Sequence, residues 1–163
     1  MDTTQISCRL RKVKSFLGVF HSDLLPHPLR QSCTVIINAD PHTKIGSHWV
    51  AIHFRPNSSS SYYFDSYGTV PLVTDIHTFI RRNCTVADYN KRQVQGMTSN
   101  VCGKYCCLFS LYMDLGYTPQ QFVVLFDARD ADRTALRVRV STAASSYATR
   151  QGSMQLQFSI KGR

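Results

Sequence analysis

Three cysteines lie within one short segment of the chain, and their thiols can serve different purposes. Residues 94–109 read VQGMTSNVCGKYCCLF and place Cys102, Cys106 and Cys107 in the first turns of a predicted helix. Free cysteines can be small buried hydrophobic residues, metal ligands or catalytic nucleophiles. Cys102 falls in the first turn, where unpaired backbone N–H groups and the helix dipole stabilise a thiolate. It is therefore a candidate nucleophile, whereas packing is the favoured interpretation for the other two.

A nucleophilic thiol needs a base, and His48 is the best placed of the six histidines. Two predicted strands, 48–54 and 61–67, flank a polar loop and form a hairpin. In this hairpin, the residue numbers of two facing positions add up to about 113–115. Residue 48 then lies opposite 65–67, so His48 and Asp65 come within reach of a cross-strand contact. An aspartate beside a histidine fixes its tautomer and stabilises the imidazolium, which a Cys–His pair requires.

Two residues near Cys102 carry weaker signals. Gln95 lies seven residues before Cys102. Its side-chain amide can donate to an oxyanion, although Gln95 can equally be an ordinary loop residue. Gly103 would allow a substrate backbone to approach the thiol closely.

The remaining cysteines, Cys8, Cys33 and Cys84, are scattered along the chain. They form no paired C-x-x-C spacing and no recognisable disulfide framework. A structural metal site needs four ligands at suitable spacings, so we expect no metal.

The longest predicted helix runs from about Val101 to Leu115. Ser99 or Asn100 can cap it, and Gly116 is placed to end it. The helix is apolar on nearly all sides, which predicts that it is buried. The pattern also predicts a strand at TVIINA and an amphipathic helix at LVTDIHTFIRR.

The length and charge of the chain limit the class of protein. Its 163 residues are enough for one domain, 1–163, and the net charge of +9 suggests a polyanionic partner. The basic residues cluster at the RLRKVK segment, which includes Arg9, Arg11, Lys12 and Lys14, and in the region 129–163, which we predict to be irregular. No signal-peptide run or membrane span is apparent, so we expect an intracellular protein with reduced thiols.

The segment VQGMTSNVCGKYCCLF resembles the active-site segment of the adenovirus protease family. The order His48, Asp65, Gln95, Cys102 matches the family's order, as do the gaps of 17 residues from histidine to acid and 7 from glutamine to cysteine. FLGVF and IINADPHTKIGSHW extend the resemblance over about residues 16–115, beyond which we cannot match the chain. Asp65 stands where mammalian adenovirus enzymes carry glutamate, but aspartate serves the same chemistry in the wider family.

The resemblance implies an α+β fold of the papain-like cysteine protease type. A central mixed or antiparallel sheet would pack against a buried helix that carries the nucleophile at its N-terminus. It also implies a cysteine endopeptidase that cleaves virion precursor proteins through Cys102, His48 and Asp65, with Gln95 as an oxyanion donor.

The resemblance further implies stimulation by DNA and by a short activating peptide. Cys84 lies 11 residues before Gln95, the spacing at which the family's cysteine forms a disulfide with that peptide. We expect a monomer in the host nucleus and the virion, without a membrane partner.

Two other functions fit parts of the sequence. A deconjugating protease for a ubiquitin-like modifier would use the same four residues. A basic nucleic-acid-binding module would explain the charge, with cysteines that only pack, but not the spacing of the histidine, aspartate, glutamine and cysteine.

Overall fold

The computed structural model describes residues 1–126 apart from 28, 56 and 58. The predicted irregular region 129–163 lies outside the described residues. Along the chain, the elements are α1 (Thr3–Leu10), β1 (Phe16–His21), β2 (Cys33–Asn38), β3 (Trp49–Arg55), β4 (Ser60–Phe64), α2 (Thr74–Asn83), β5 (Val86–Tyr89), α3 (Cys102–Asp114) and α4 (Pro119–Val123).

The five strands form one mixed sheet in the order β1-β2-β3-β4-β5. The two outer pairs, β1–β2 and β4–β5, are parallel. The two central pairs, β2–β3 and β3–β4, are antiparallel. Ala51 faces Phe64 in the β3–β4 hairpin, so facing positions sum to 115 and the predicted register is confirmed. The predicted α+β fold is likewise confirmed.

Helices cover both faces of the sheet. α1, α3 and α4 pack on one face, and α2 packs on the other. β2 and β3 are therefore buried on both sides, which explains their continuous apolar runs.

The burial of α3 agrees with its predicted all-round apolarity. Every residue of this helix is buried except Lys104 and Asp114. Phe109 stacks on Phe64 of β4 with ring centroids 4.8 Å apart, and Phe122 of α4 meets both rings edge-on. These aromatic contacts fix the position of α3 on the sheet.

The predicted cap of α3 is wrong. The N-cap is Val101, and no side chain caps the helix. The Ser99 hydroxyl instead donates to the Gly96 carbonyl, 3.0 Å away, within the preceding turn. The first N–H groups of α3 are therefore left without a capping side chain beside Cys102.

Four elements have no counterpart in the sequence-based prediction: α1, β1, β5 and α4. The capping box of α1, between Asp2 and Gln5, is easily overlooked because the basic residues that follow dominate the pattern. β5 is a short, mostly exposed edge strand, so it has little hydrophobic periodicity. Among the described residues, no helix is long and apolar enough to cross a membrane.

Candidate active site

His48 and Asp65 meet at one end of the β3–β4 hairpin. His48 immediately precedes β3 and Asp65 immediately follows β4, and the antiparallel register brings them together. Nε2 of His48 lies 2.8 Å from Oδ1 of Asp65. The Asp65 side chain is only 3% exposed, so water hardly competes for this contact.

The Asp65 carboxylate is held by donors other than the histidine. The backbone N–H of Tyr67 donates to Oδ1 at 2.9 Å, and the hydroxyl of Thr69 donates to Oδ2. Burial alone would raise the pKa of this carboxyl group, but the hydrogen bonds and the charge of His48 outweigh it and lower the pKa. Asp65 is therefore held as an anion.

A tight turn carries Asp65 and the two residues after it. The N–H of Gly68 donates to the Asp65 carbonyl at 2.8 Å, and Gly68 has a φ of +72°. A Cβ at this position would lie 2.8 Å from the backbone of Arg92, so both conformation and space require glycine. Asn90 ties the turn to the end of β5, since its side chain bonds both backbone groups of Asp65.

Cys102 lies at the start of α3, where its thiol interacts with His48. Burial raises the pKa of its thiol, but the hydrogen bond with His48, backbone hydrogen bonds from Trp49 and Gly103 and the charge of His48 together lower it. Because Nε2 of His48 contacts Asp65, Nδ1 is the nitrogen that remains for Cys102.

The same contacts act on His48 in the opposite direction. Burial lowers the pKa of the imidazole, whereas hydrogen bonds and charge interactions with Asp65 and Cys102 raise it to about 9. The contacts between Cys102 and His48 therefore favour the thiolate form of one and the imidazolium form of the other.

Cys106 and Cys107 have different surroundings from Cys102. Burial raises the pKa of Cys106 well above its ordinary value and that of Cys107 to about 12. Both residues belong to the hydrophobic core under the sheet. They are packed thiols, and this agrees with the interpretation favoured from the sequence.

Gln95 is 1% exposed and its side-chain amide is fully bonded. Its Oε1 accepts from the Ser66 hydroxyl at 2.7 Å, and its Nε2 donates to the Ser99 carbonyl at 2.6 Å and to the Tyr67 hydroxyl at 3.1 Å. An amide has only two N–H hydrogens. One of these two contacts must therefore yield before Gln95 can donate to an oxyanion.

Gly103 is close to packed side chains rather than to open space. A Cβ here would lie 3.2 Å from the indole of Trp49 and 3.3 Å from Met1. The indole N–H of Trp49 in turn donates to the Met1 carbonyl at 2.9 Å. The expectation that Gly103 admits a substrate backbone is therefore replaced by a packing reason for glycine.

Sequence reasoning missed the residues that hold the candidate site together, above all Ser66, Tyr67 and Asn90. The D-S-Y-G turn after a strand was an available signal, because glycine at that place favours a tight turn. Which side chains of such a turn face the histidine depends on its conformation, which spacing does not give.

The candidate peptide-binding and DNA-binding residues lie at the C-terminal ends of α2 and α1. Cys84 caps α2, with its Sγ 2.9 Å from the Ser61 hydroxyl and 3.2 Å from the Ile80 carbonyl. The four basic residues proposed for DNA occupy the last turn of α1 and the loop after it, and three of them are exposed: Arg11, Lys12 and Lys14, with Arg9 half-buried.

Comparison with known proteins agrees with the resemblance found in the sequence. A family model described as adenovirus endoprotease matches residues 16–127. The protease of Bovine adenovirus 2 is 32% identical over 108 residues, which cover 59% of this chain and 49% of the relative. The protease of Human adenovirus A serotype 12 is 31% identical over 94 residues, covering 49% and 45%. The chain thus spans about half the length of these relatives.

One solved structure supports the fold. The ASFV protease matches with a TM-score of 0.54 at 15% identity, over 83% of this chain and 65% of that chain. At this identity, the likeness concerns the fold alone.

Proposed function

This chain belongs to the adenovirus endoprotease family, and on that premise we propose that it is a cysteine endopeptidase that cleaves virion precursor proteins. One observation carries the proposal. The thiol of Cys102, at the start of α3, interacts with His48, and Nε2 of this histidine lies 2.8 Å from the buried carboxylate of Asp65. This is the arrangement that an activated thiol requires.

The first chemical step is attack by the Cys102 thiolate on the carbonyl carbon of a peptide bond. A bond forms between Sγ and the carbon, and the π electrons of the carbonyl move onto its oxygen. Gln95 Nε2–H and the Cys102 backbone N–H would donate to that oxyanion. The Gln95 contact with Tyr67 is longer than the one with Ser99, so it is the contact that we expect to yield.

His48 then acts as a general acid. Its proton passes to the leaving amine as the C–N bond breaks, which leaves an acyl group on Cys102. A water molecule, deprotonated by the now neutral His48, attacks the acyl carbon, and the carboxylic acid product leaves as the thiolate is restored. Asp65 orients the imidazole and stabilises its charged form throughout.

The exposed cations of α1 and its following loop support a second part of the proposal, which is DNA binding. Lys12 and Lys14 project from the surface with Arg11, and Arg9 lies beside them on the last helical turn. Such a cluster binds phosphates without reading sequence. In this proposal, DNA brings the chain to precursors in the nucleus and the virion.

The edge of the sheet supports binding of an activating peptide. β5 ends the sheet on one side, and three of its four residues are exposed. A peptide strand can add to such an edge through main-chain hydrogen bonds. Cys84, two residues before β5 and half-buried, is suitably placed for a disulfide to that strand.

Mass spectrometry tests this part of the proposal. A cysteine-containing peptide from a virion precursor should form a mixed disulfide with the natural chain and none with Cys84→Ser. Equal activation and binding in both proteins would show that Cys84 is structural.

Substrate cleavage tests the main proposal. The purified chain is incubated with virion precursor proteins and, separately, with a fusion to a ubiquitin-like modifier. We expect cleavage of the precursors, complete loss in Cys102→Ala, and retention in Cys107→Ala, which removes a core thiol from the same helix. Cleavage of the modifier fusion alone would favour a deconjugating protease, and cleavage by Cys102→Ala would reject the mechanism.

A further inference from the structure

We infer that Tyr67 is a positioning residue that holds the catalytic histidine with its ring and the oxyanion donor with its hydroxyl. The inference rests on the proposed function for its meaning in catalysis. It assigns to one side chain a link between two groups that lie 47 residues apart in the sequence, His48 and Gln95.

The ring of Tyr67 lies against the imidazole of His48. Their centroids are 5.1 Å apart and their planes are inclined by 29°, which is a stacked arrangement. The titratable groups that act on His48 are Asp65 and Cys102, each through a hydrogen bond. An aromatic face beside an imidazolium stabilises the positive charge and restricts rotation of the ring.

The hydroxyl of Tyr67 reaches the other side of the site. It accepts a hydrogen bond from Nε2 of Gln95 at 3.1 Å and lies 3.4 Å from the Ser99 carbonyl. In the free protein it therefore keeps one amide hydrogen of Gln95 in a defined direction. The Ser66 hydroxyl and the Ser99 carbonyl hold the other side of this amide, so the three contacts together fix the otherwise broad terminal torsion of the glutamine.

The backbone of Tyr67 is fixed by the same turn that holds the acid. Its N–H donates to Oδ1 of Asp65, and Gly68 closes the turn behind it. Ser66, the preceding residue, donates to Oε1 of Gln95 and accepts at its carbonyl from the N–H of Gln95 at 3.0 Å. Contacts of this turn with Asp65 and with Gln95 thus set the position of Tyr67.

This geometry gives Tyr67 a defined part in the reaction. When the oxyanion forms, the Gln95 N–H stops donating to the Tyr67 hydroxyl and donates to the oxyanion instead. The phenol can then turn its own hydrogen fully towards the Ser99 carbonyl. The exchange replaces a neutral hydrogen bond with a charge-assisted one, which favours the transition state over the ground state.

Two substitutions separate the ring from the hydroxyl. Tyr67→Phe keeps the stacked ring, and Tyr67→Leu removes both. The first measurement is the rate of Cys102 alkylation by iodoacetamide against pH, followed by mass spectrometry of the peptide that contains Cys102. We expect the same midpoint in the natural protein and Tyr67→Phe, and a midpoint about half a pH unit or more higher in Tyr67→Leu, because the imidazolium loses its aromatic neighbour.

The second measurement is a double-mutant cycle on kcat with Gln95→Ala. Tyr67→Phe should lower kcat about fivefold when Gln95 is present, because the amide loses one of the contacts that orient it before the oxyanion forms, and should have no further effect in Gln95→Ala. KM should stay unchanged, since the hydroxyl acts through the orientation of the Gln95 amide. Tyr117→Phe, which removes a phenolic hydroxyl near Tyr112 in the segment after α3, is the matched control and should leave kcat unchanged.

Each result decides the inference. An alkylation midpoint in Tyr67→Leu equal to that of the natural protein, or additive effects of Tyr67→Phe and Gln95→Ala on kcat, would overturn it. The alkylation measurement needs no substrate. A chain that cleaves no peptide but shows the raised midpoint in Tyr67→Leu would therefore reject the proposed function while supporting the contact between Tyr67 and His48.

Discussion

Cys102 and Cys106 lie one turn apart on the same helix, and their thiols differ because of their neighbours. Cys102 has a histidine and backbone donors beside it, which lower its pKa. Cys106 is enclosed by apolar side chains, and its nearest polar contact is the Trp49 carbonyl at 3.4 Å. A carbonyl cannot stabilise a negative charge on sulfur, so Cys106 remains a thiol.

At the residue scale, the first prediction concerns pH. In the proposed mechanism, the reactive ion pair exists above the lowered pKa of Cys102 and below the pKa of His48, about 9. We therefore expect kcat/KM to rise to a plateau as Cys102 loses its proton and to fall above about pH 9 as His48 loses its own. Asp65→Asn removes the charge that stabilises the imidazolium, so the alkaline fall should move to lower pH. An unchanged profile in Asp65→Asn would contradict the role of this carboxylate.

The second prediction concerns Gln95 as an oxyanion donor. Gln95→Ala should lower kcat by about 10²–10³, the usual effect of losing one such donor, while Cys102 is alkylated at the natural rate. Steady-state kinetics and iodoacetamide labelling measure the two effects. Gln120→Ala, which removes an exposed amide from α4, serves as the control. A loss of alkylation in Gln95→Ala would mean that the residue supports the fold of the site instead.

Spacing along the chain was enough to propose His48, Asp65, Gln95 and Cys102 together. It could not reveal Tyr67, because a tyrosine after an aspartate has many possible directions. Only the turn closed by Gly68, together with the bonds from Asn90, determines that direction.

At the element scale, β2, β3, β4, α2 and α3 can be recognised because each has a clear apolar pattern and enough length. β1 and β5 cannot, since both are edge strands without a buried face: β1 is only partly buried, and β5 has four residues that are mostly exposed. Ser99 is a reasonable cap by residue type, but its hydroxyl is used in the turn before α3. Local propensity is overridden there by the contacts that hold Gln95.

The third prediction concerns His53 in the centre of the sheet. Burial lowers its pKa to about 4, and Nδ1 lies 2.9 Å from the Thr34 hydroxyl. The folded state therefore favours the neutral imidazole. This stabilisation is complete above pH 6.5 and is lost as the pH falls from 6.5 towards 4, by roughly 3 kcal/mol in all.

Denaturant unfolding between pH 4 and 7 measures this dependence. His53→Gln keeps a polar partner for Thr34 but does not titrate, so its free energy of unfolding should change less in this range. His77→Gln, on an exposed position of α2, is the control and should follow the natural protein. Equal pH dependence in all three proteins would show that another group controls acid stability.

At the scale of the whole molecule, the net charge of +9 is the main feature that the proposed catalytic mechanism leaves unexplained. The fourth prediction is that the protein binds duplex DNA and that the logarithm of its affinity falls linearly with the logarithm of the salt concentration. Replacing Arg9, Arg11, Lys12 and Lys14 with glutamine should reduce the slope by about 0.9 for each phosphate that is no longer neutralised. Fluorescence anisotropy at several salt concentrations provides the measurement.

The control for charge is Arg81→Gln with Lys91→Gln, which removes two exposed cations on either side of β5. We expect the salt slope of this variant to match that of the natural protein. If both variants change the slope equally, DNA binding is spread over the surface and is not centred on α1.

Trapping of the acyl-enzyme tests most directly whether Cys102 is a nucleophile activated by His48. A peptide ester is mixed with the protein, the reaction is quenched in acid within one turnover, and the attached acyl group is located by mass spectrometry. We expect the acyl group on Cys102 in the natural protein and in Cys107→Ala, and none in His48→Ala within the same time. Peptide hydrolysis with the acyl group on another residue, or with none on Cys102, would contradict the mechanism.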